Sequence, residues 1–150
     1  MLAGCGENSK KPVLRFSDLS FTAQITYLNE CFVADCEVDS DNFCAVIREP
    51  DTVSGLIFTF SDNDVTVKLN DIKLDNYERF LPFGCPVALI KKALSNSTDV
   101  TYKKRKGNYR VDGKIGKVDY CLMTSPAGIP LQLDIDDYGM TVVFNNVTCK

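Results

Sequence analysis

The sequence predicts a mainly β fold of the α+β kind. The expected form is a strongly curved, open antiparallel sheet, a half-barrel of about 8–11 strands, with one helix near residues 86–95. Three observations predict it. Apolar and polar residues alternate with period two through most of the 150 residues. Turn formers punctuate those runs at short spacing, so hairpins join sequence neighbours. One segment alone breaks the period and takes helical spacing.

The elements follow in order. Phe16-Ser17-Asp18-Leu19 reads as a short turn. Phe21, Ala23, Ile25 and Tyr27 then alternate with Thr22, Gln24 and Thr26, and Phe32, Ala34, Cys36 and Val38 repeat the pattern. Asp39-Ser40-Asp41-Asn42 is a turn cluster. Phe43, Ala45 and Ile47 resume the alternation up to Pro50. If Val38 faces Phe43, Cys36 faces Ala45 and Cys44 lies on the other side of the sheet. Residues 54–60 read as a strand, followed by the turn Ser61-Asp62-Asn63-Asp64. Val65, Val67 and Leu69 alternate, and Ile72 and Leu74 continue.

Helical spacing appears in Val87, Ile90 and Leu94, at i, i+3 and i+7. Pro86 suits the first helical position, and Ser95-Asn96-Ser97 ends the segment. Strands return at 100–102, 109–111, 118–122, 131–135 and 140–144. One short helix cannot cover both faces of so many strands. The expectation is therefore a sheet that curls on itself, with an apolar concave face.

Composition narrows the function classes. The chain has no His, which removes the commonest general base and the Ser-His and Cys-His pairs. No enzyme activity, metal or cofactor is expected. The acidic turns at 39–42 and 62–64 read as turn formers. Asp134 and Asp136 read as the solvent face of a strand. Of seven Cys, those other than Cys5 come in no CxxC pair and read as buried thiols or disulfide partners. The net charge is −3, yet positions 103–117 carry +6. Lys103, Lys104, Arg105 and Lys106 there form a basic hairpin tip. They are candidates for contact with an anionic surface, rather than with nucleic acid.

The chain opens Met1-Leu2-Ala3-Gly4-Cys5. Leu2-Ala3-Gly4-Cys5 resembles the lipobox of bacterial lipoproteins, whose Cys takes the lipid. Residues 1–5 are then the remnant of a signal whose leader lies upstream of Met1. Residues 6–15 form a polar, flexible tether, and 16–150 a single half-barrel domain.

Further features carry a wider resemblance. Phe21-Thr22-Ala23 opens the sheet, and Ile47-Arg48-Glu49-Pro50 leads to Gly55-Leu56-Ile57-Phe58. Leu81-Pro82-Phe83 precedes the helix, and Tyr120-Cys121-Leu122 precedes Gly128-Ile129-Pro130. In this order they resemble the lipoprotein-carrier superfamily of the periplasmic carrier and its outer-membrane lipoprotein receptor. The resemblance implies an open, bent antiparallel sheet lidded by helices, with acyl chains held in the cavity.

The expectation for function is an extracytoplasmic lipoprotein, anchored to the cell membrane through lipid on Cys5 and monomeric. The resemblance favours a Gram-positive cell surface over a periplasm. It binds a lipid or other hydrophobic molecule against the concave face, with Ile25, Ile47, Phe58, Phe60, Leu122 and Leu133 as candidate lining residues. The alternative is a non-enzymatic envelope interaction protein with a filled core.

Overall fold

Eleven strands form one antiparallel sheet in the order β6-β5-β4-β3-β2-β1-β11-β10-β9-β8-β7. The computed structural model describes residues 13–14, 16–61, 64–75, 84–96 and 100–150. The box at 2–5, the tether apart from 13–14, the turn at 62–63 and Leu81-Pro82-Phe83 lie outside the described residues.

The first meander is β1 (Leu19–Tyr27), β2 (Glu30–Val38), β3 (Asn42–Glu49), β4 (Ile57–Ser61), β5 (Asp64–Leu69) and β6 (Ile72–Leu74). Helix α1 (Pro86–Ser95) follows. The second meander is β7 (Thr101–Arg105), β8 (Asn108–Ile115), β9 (Val118–Thr124), β10 (Pro130–Ile135) and β11 (Met140–Cys149). β1 pairs with β11 and joins the two meanders at the centre. The chain therefore has to travel from the β6 edge to the β7 edge, and α1 lies on that route. Its Val87, Leu89, Ile90, Ala93 and Leu94 are buried in the core shared with the sheet.

Alternation decides the faces. Leu19, Phe21, Ala23 and Ile25 are buried, while Thr22, Gln24 and Thr26 between them face outward. The same rule holds along the sheet from β5 through β4, β3, β2, β1, β11 and β10 to β9, so one face carries the core. Two aromatic pairs stitch it together edge to face: Phe21–Phe144 at 5.0 Å between ring centroids and Phe43–Phe60 at 5.8 Å. Val38 faces Phe43 and Cys36 faces Ala45, as the turn cluster implies. The Asp39 carboxylate accepts from the backbone N–H of Asp41 (3.0 Å) and Asn42 (2.7 Å), so that turn is closed by its own side chain. These two hydrogen bonds hold the Asp39 pKa below its ordinary value.

Three expectations need correction. The sheet is not strongly curled, so the half-barrel gives way to an open sheet. The reason lies in the outer face. It carries Thr, Asp, Gln, Lys and Arg side chains and can stand in water, as antiparallel sheets often do. Only one face needs cover, and α1 with Leu14 and Phe16 contributes to it. The strand expected at 54–60 begins at Ile57, because a 3-10 turn at Asp51–Val53 and Gly55 at φ +88° bend the chain first. Finally, Lys103, Lys104 and Arg105 belong to β7 itself, leaving Lys106-Gly107 as the turn.

Candidate functional site: an apolar groove and a basic hairpin

The six residues nominated for a hydrophobic ligand share the covered face, but not one cavity. Ile25, Leu122 and Leu133 are 1%, 0% and 0% exposed, within the packed centre. Ile47 and Phe60 are also buried. Phe58 reaches an open groove.

That groove has a volume of about 530 Å³ and lies where β4, β5 and β6 meet the start of α1. Phe58, Val67, Leu69, Ile72 and Leu74 form its sheet side, and Gly84, Cys85 and Pro86 its helix side. β6 is an edge strand of three residues, and no described strand pairs with its outer side. Its Ile72 and Leu74 are therefore 66% and 45% exposed. Gly84 allows Tyr27 and Tyr138 to close in from the side; a Cβ there would sit 3.1 Å from the Tyr27 hydroxyl and 3.0 Å from Tyr138 Cε1. Sequence reading missed all of these lining residues except Phe58. The usable signal was an apolar Ile72-Lys73-Leu74 pair placed after an Asn70-Asp71 turn, at the end of a meander with no further strand to cover it.

A second cleft, on the outer face, is polar. Arg110 Nε donates to Asp112 at 2.8 and 3.1 Å, and that carboxylate raises the Arg110 pKa. Asp134 accepts from Gln132 at 2.9 Å and from Thr141 Oγ1 at 2.9 Å. Burial pushes the neighbouring Cys121 thiol up, which keeps it protonated and a poor nucleophile near neutral pH. Arg110 with Asp112, and Asp134 with Gln132 and Thr141, are thus hydrogen-bonded groups of this polar cleft. Among the described residues no group of three or more His, Cys, Asp or Glu is placed to hold a metal ion.

The basic residues nominated for an anionic surface do come together. Lys103, Lys104, Arg105 and Lys106 are all exposed on the β7–β8 hairpin. Lys106 at φ +48° and Gly107 at φ +85° make its two-residue turn. No ion pair among the described residues involves any of the four. Cys5 lies outside the described residues. No described helix is long and apolar enough to cross a membrane.

No protein-family model matches the chain, and no curated protein does. Solved structures share its fold at low identity. An uncharacterized conserved protein from Thermus thermophilus is 10% identical, with a TM-score of 0.59 over 89% of this chain and 79% of that one. A chain in the structure of the CwlD amidase from Clostridioides difficile in complex with the GerS lipoprotein is 15% identical, at TM-score 0.47 over 89% and 84%. The LolA superfamily protein NE2245 from Nitrosomonas europaea is 10% identical, at TM-score 0.46 over 91% and 89%. The first of these is a likeness of fold alone.

Proposed function

We propose that the chain is a membrane-anchored extracytoplasmic lipoprotein that shelters an acyl chain or similar apolar molecule in the β4–β6 groove. The observation that carries this reading is the groove itself. Its volume falls in the ~300–1,000 Å³ range of ligand pockets, and its sheet side is apolar. Leaving Ile72 and Leu74 in water is unfavourable, at ~25 cal/mol per Å² of apolar surface. An apolar guest removes that surface from water.

Native mass spectrometry of the full-length chain tests it, together with titration of a fluorescent fatty acid. Co-purified lipid mass is expected, with probe binding that Ile72→Glu/Leu74→Glu abolishes. Both side chains are exposed, so the fold tolerates the change. Absence of lipid mass and of probe binding would overturn the reading. The anchor on Cys5 is tested separately, by the mass of the N-terminal peptide from the membrane fraction. An unmodified Cys5 overturns that half.

A second reading is favoured by one observation. The full burial of Ile25, Leu122 and Leu133 suits an envelope interaction protein with a filled core. Crosslinking from 103–106 that captures no partner would count against it.

A further inference from the structure

We propose that the β7–β8 hairpin is a second membrane contact, resting on anionic lipid headgroups of the bilayer that holds the lipid anchor. The proposal rests on the anchored reading above and adds a surface and an orientation to it.

The first support is charge that the fold leaves unneutralised. The other described arginines hold carboxylates: Arg48 pairs with Asp35 at 2.6 Å and Arg110 with Asp112 at 2.8 Å. Lys73, Lys114 and Lys150 hold carboxylates too, whereas Lys68 and Lys117 hold none among the described residues but stand singly. Lys103, Lys104, Arg105 and Lys106 hold none among the described residues, and they follow one another along edge strand β7 and into its turn. On β7, Lys103 and Arg105 point to one side and Lys104 to the other. A tip charged on both sides suits a broad anionic surface better than a pocket on a partner.

The second support is position. Tyr109 of β8 pairs with Thr124 of β9, so the Lys106-Gly107 turn and the β9–β10 turn stand side by side at one end of the sheet. The incoming chain lies on that same β9–β10 turn. Val13 and Leu14 pass so close to Gly128 that a Cβ there would fall 1.9 Å from the Val13 carbonyl oxygen. From this point the seven residues 6–12 back to Cys5 span at most about 25 Å. A lipid on Cys5 would therefore tie the domain down within that reach of the end of the sheet that carries the hairpin. Asp39 and Asp41 lie at the same end but across β1 and β2, on the other half of the sheet. The basic corner is drawn to an anionic bilayer and the acidic corner is repelled, which tilts the domain.

The test uses the full chain carrying Cys5→Ser, so that no acyl chain contributes. Its sedimentation is measured with vesicles of phosphatidylcholine alone and with about one third phosphatidylglycerol. Near a charged bilayer each cation contributes ~1 kcal/mol, which is about fivefold in affinity. Binding to the anionic vesicles is expected, weakening about a hundredfold or more when all four cations become Gln. Exchange of the three lysines for Arg should preserve it, and added salt should remove it. Equal binding by the all-Gln chain overturns the proposal. So does binding to a soluble polyanion such as polyglutamate with none to the vesicles. Because this chain carries no lipid, failure here is distinct from an unmodified Cys5 in the native protein.

Discussion

Replacing Gly113 with Ala should destabilise the fold through a single contact. Gly113 on β8 faces Tyr120 on β9 as a direct cross-strand partner. The Tyr120 ring lies over the bare glycine backbone and is 4% exposed. A Cβ on Gly113 would fall 2.5 Å from Tyr120 Oη, 2.6 Å from Cζ and 2.8 Å from Cε1. Non-bonded carbons rest at about 3.5–4.0 Å, so the ring must retreat by about 1 Å. Displacing it disturbs the packing around it, and overpacking of this kind costs ~1–3 kcal/mol. Alanine also stiffens the unfolded chain, which offsets ~0.4–1 kcal/mol of that. The net loss should be ~1–2 kcal/mol. Urea titration followed by far-ultraviolet circular dichroism would read it as a lower midpoint. In a Tyr120→Leu background the obstructing ring atoms are gone, and the same substitution should cost at least ~1 kcal/mol less. An equal cost in both backgrounds, or a raised midpoint, would refute the reasoning.

Three more outcomes follow from buried groups and close approaches. Thr124 is fully buried and its hydroxyl has no hydrogen-bond partner among the described residues, so Thr124→Val should raise stability by ~1 kcal/mol; a lower urea midpoint would show that the hydroxyl is satisfied after all. Burial, reinforced by Asp35 and Cys44, pushes the Cys36 thiol up to about 12, whereas an unfolded thiol titrates near ~8.5. The unfolded chain thus loses this proton first, and stability should fall from about pH 8.5 toward 12, by up to ~1.4 kcal/mol per pH unit. Cys36→Ala should flatten that part of the stability–pH curve, and an unchanged slope would contradict the assignment. Gly128→Ala meets both φ +80° and the Val13 carbonyl. Limited proteolysis should therefore cut the N-terminal segment faster than in the parent chain, with an unaltered rate counting against the contact.

The period-two alternation was enough to locate nearly every strand, because one face of the sheet is dry and the other wet. Val87, Ile90 and Leu94 likewise located α1, whose buried stripe obeys the 3.6-residue repeat. The same signal fails where strands are not half-buried. β7 is written in Lys and Arg along an edge and shows no apolar rhythm beyond Tyr102. Curvature was not legible either, since it depends on whether the second face needs cover, and water satisfies that face here. The groove was hidden for a related reason. Leu69, Ile72 and Leu74 look like ordinary core residues until the topology places β6 last in its meander. The nominated Ile25, Leu122 and Leu133 do not line it because β1, β9 and β10 lie away from the β4–β6 margin, and their side chains are buried in the shared core. The basic residues were legible as a cluster; their nearness to the entering chain was not, because it rests on the Gly128 contact.

The open order of the sheet leaves the outer margins of β6 and β7 without a partner strand among the described residues. Those margins have opposite social behaviour. Two copies approaching through β7 bring three cations against three, a repulsion that discourages strand-to-strand stacking. The β6 margin carries Lys73 between Ile72 and Leu74 and is only three residues long, so it offers a short ladder and a sticky one. Growth of the sheet into a larger assembly is thus blocked on one flank and rationed on the other, and a mutation that lengthened β6 or removed Lys73 would be the one to turn a solitary domain into an aggregating one.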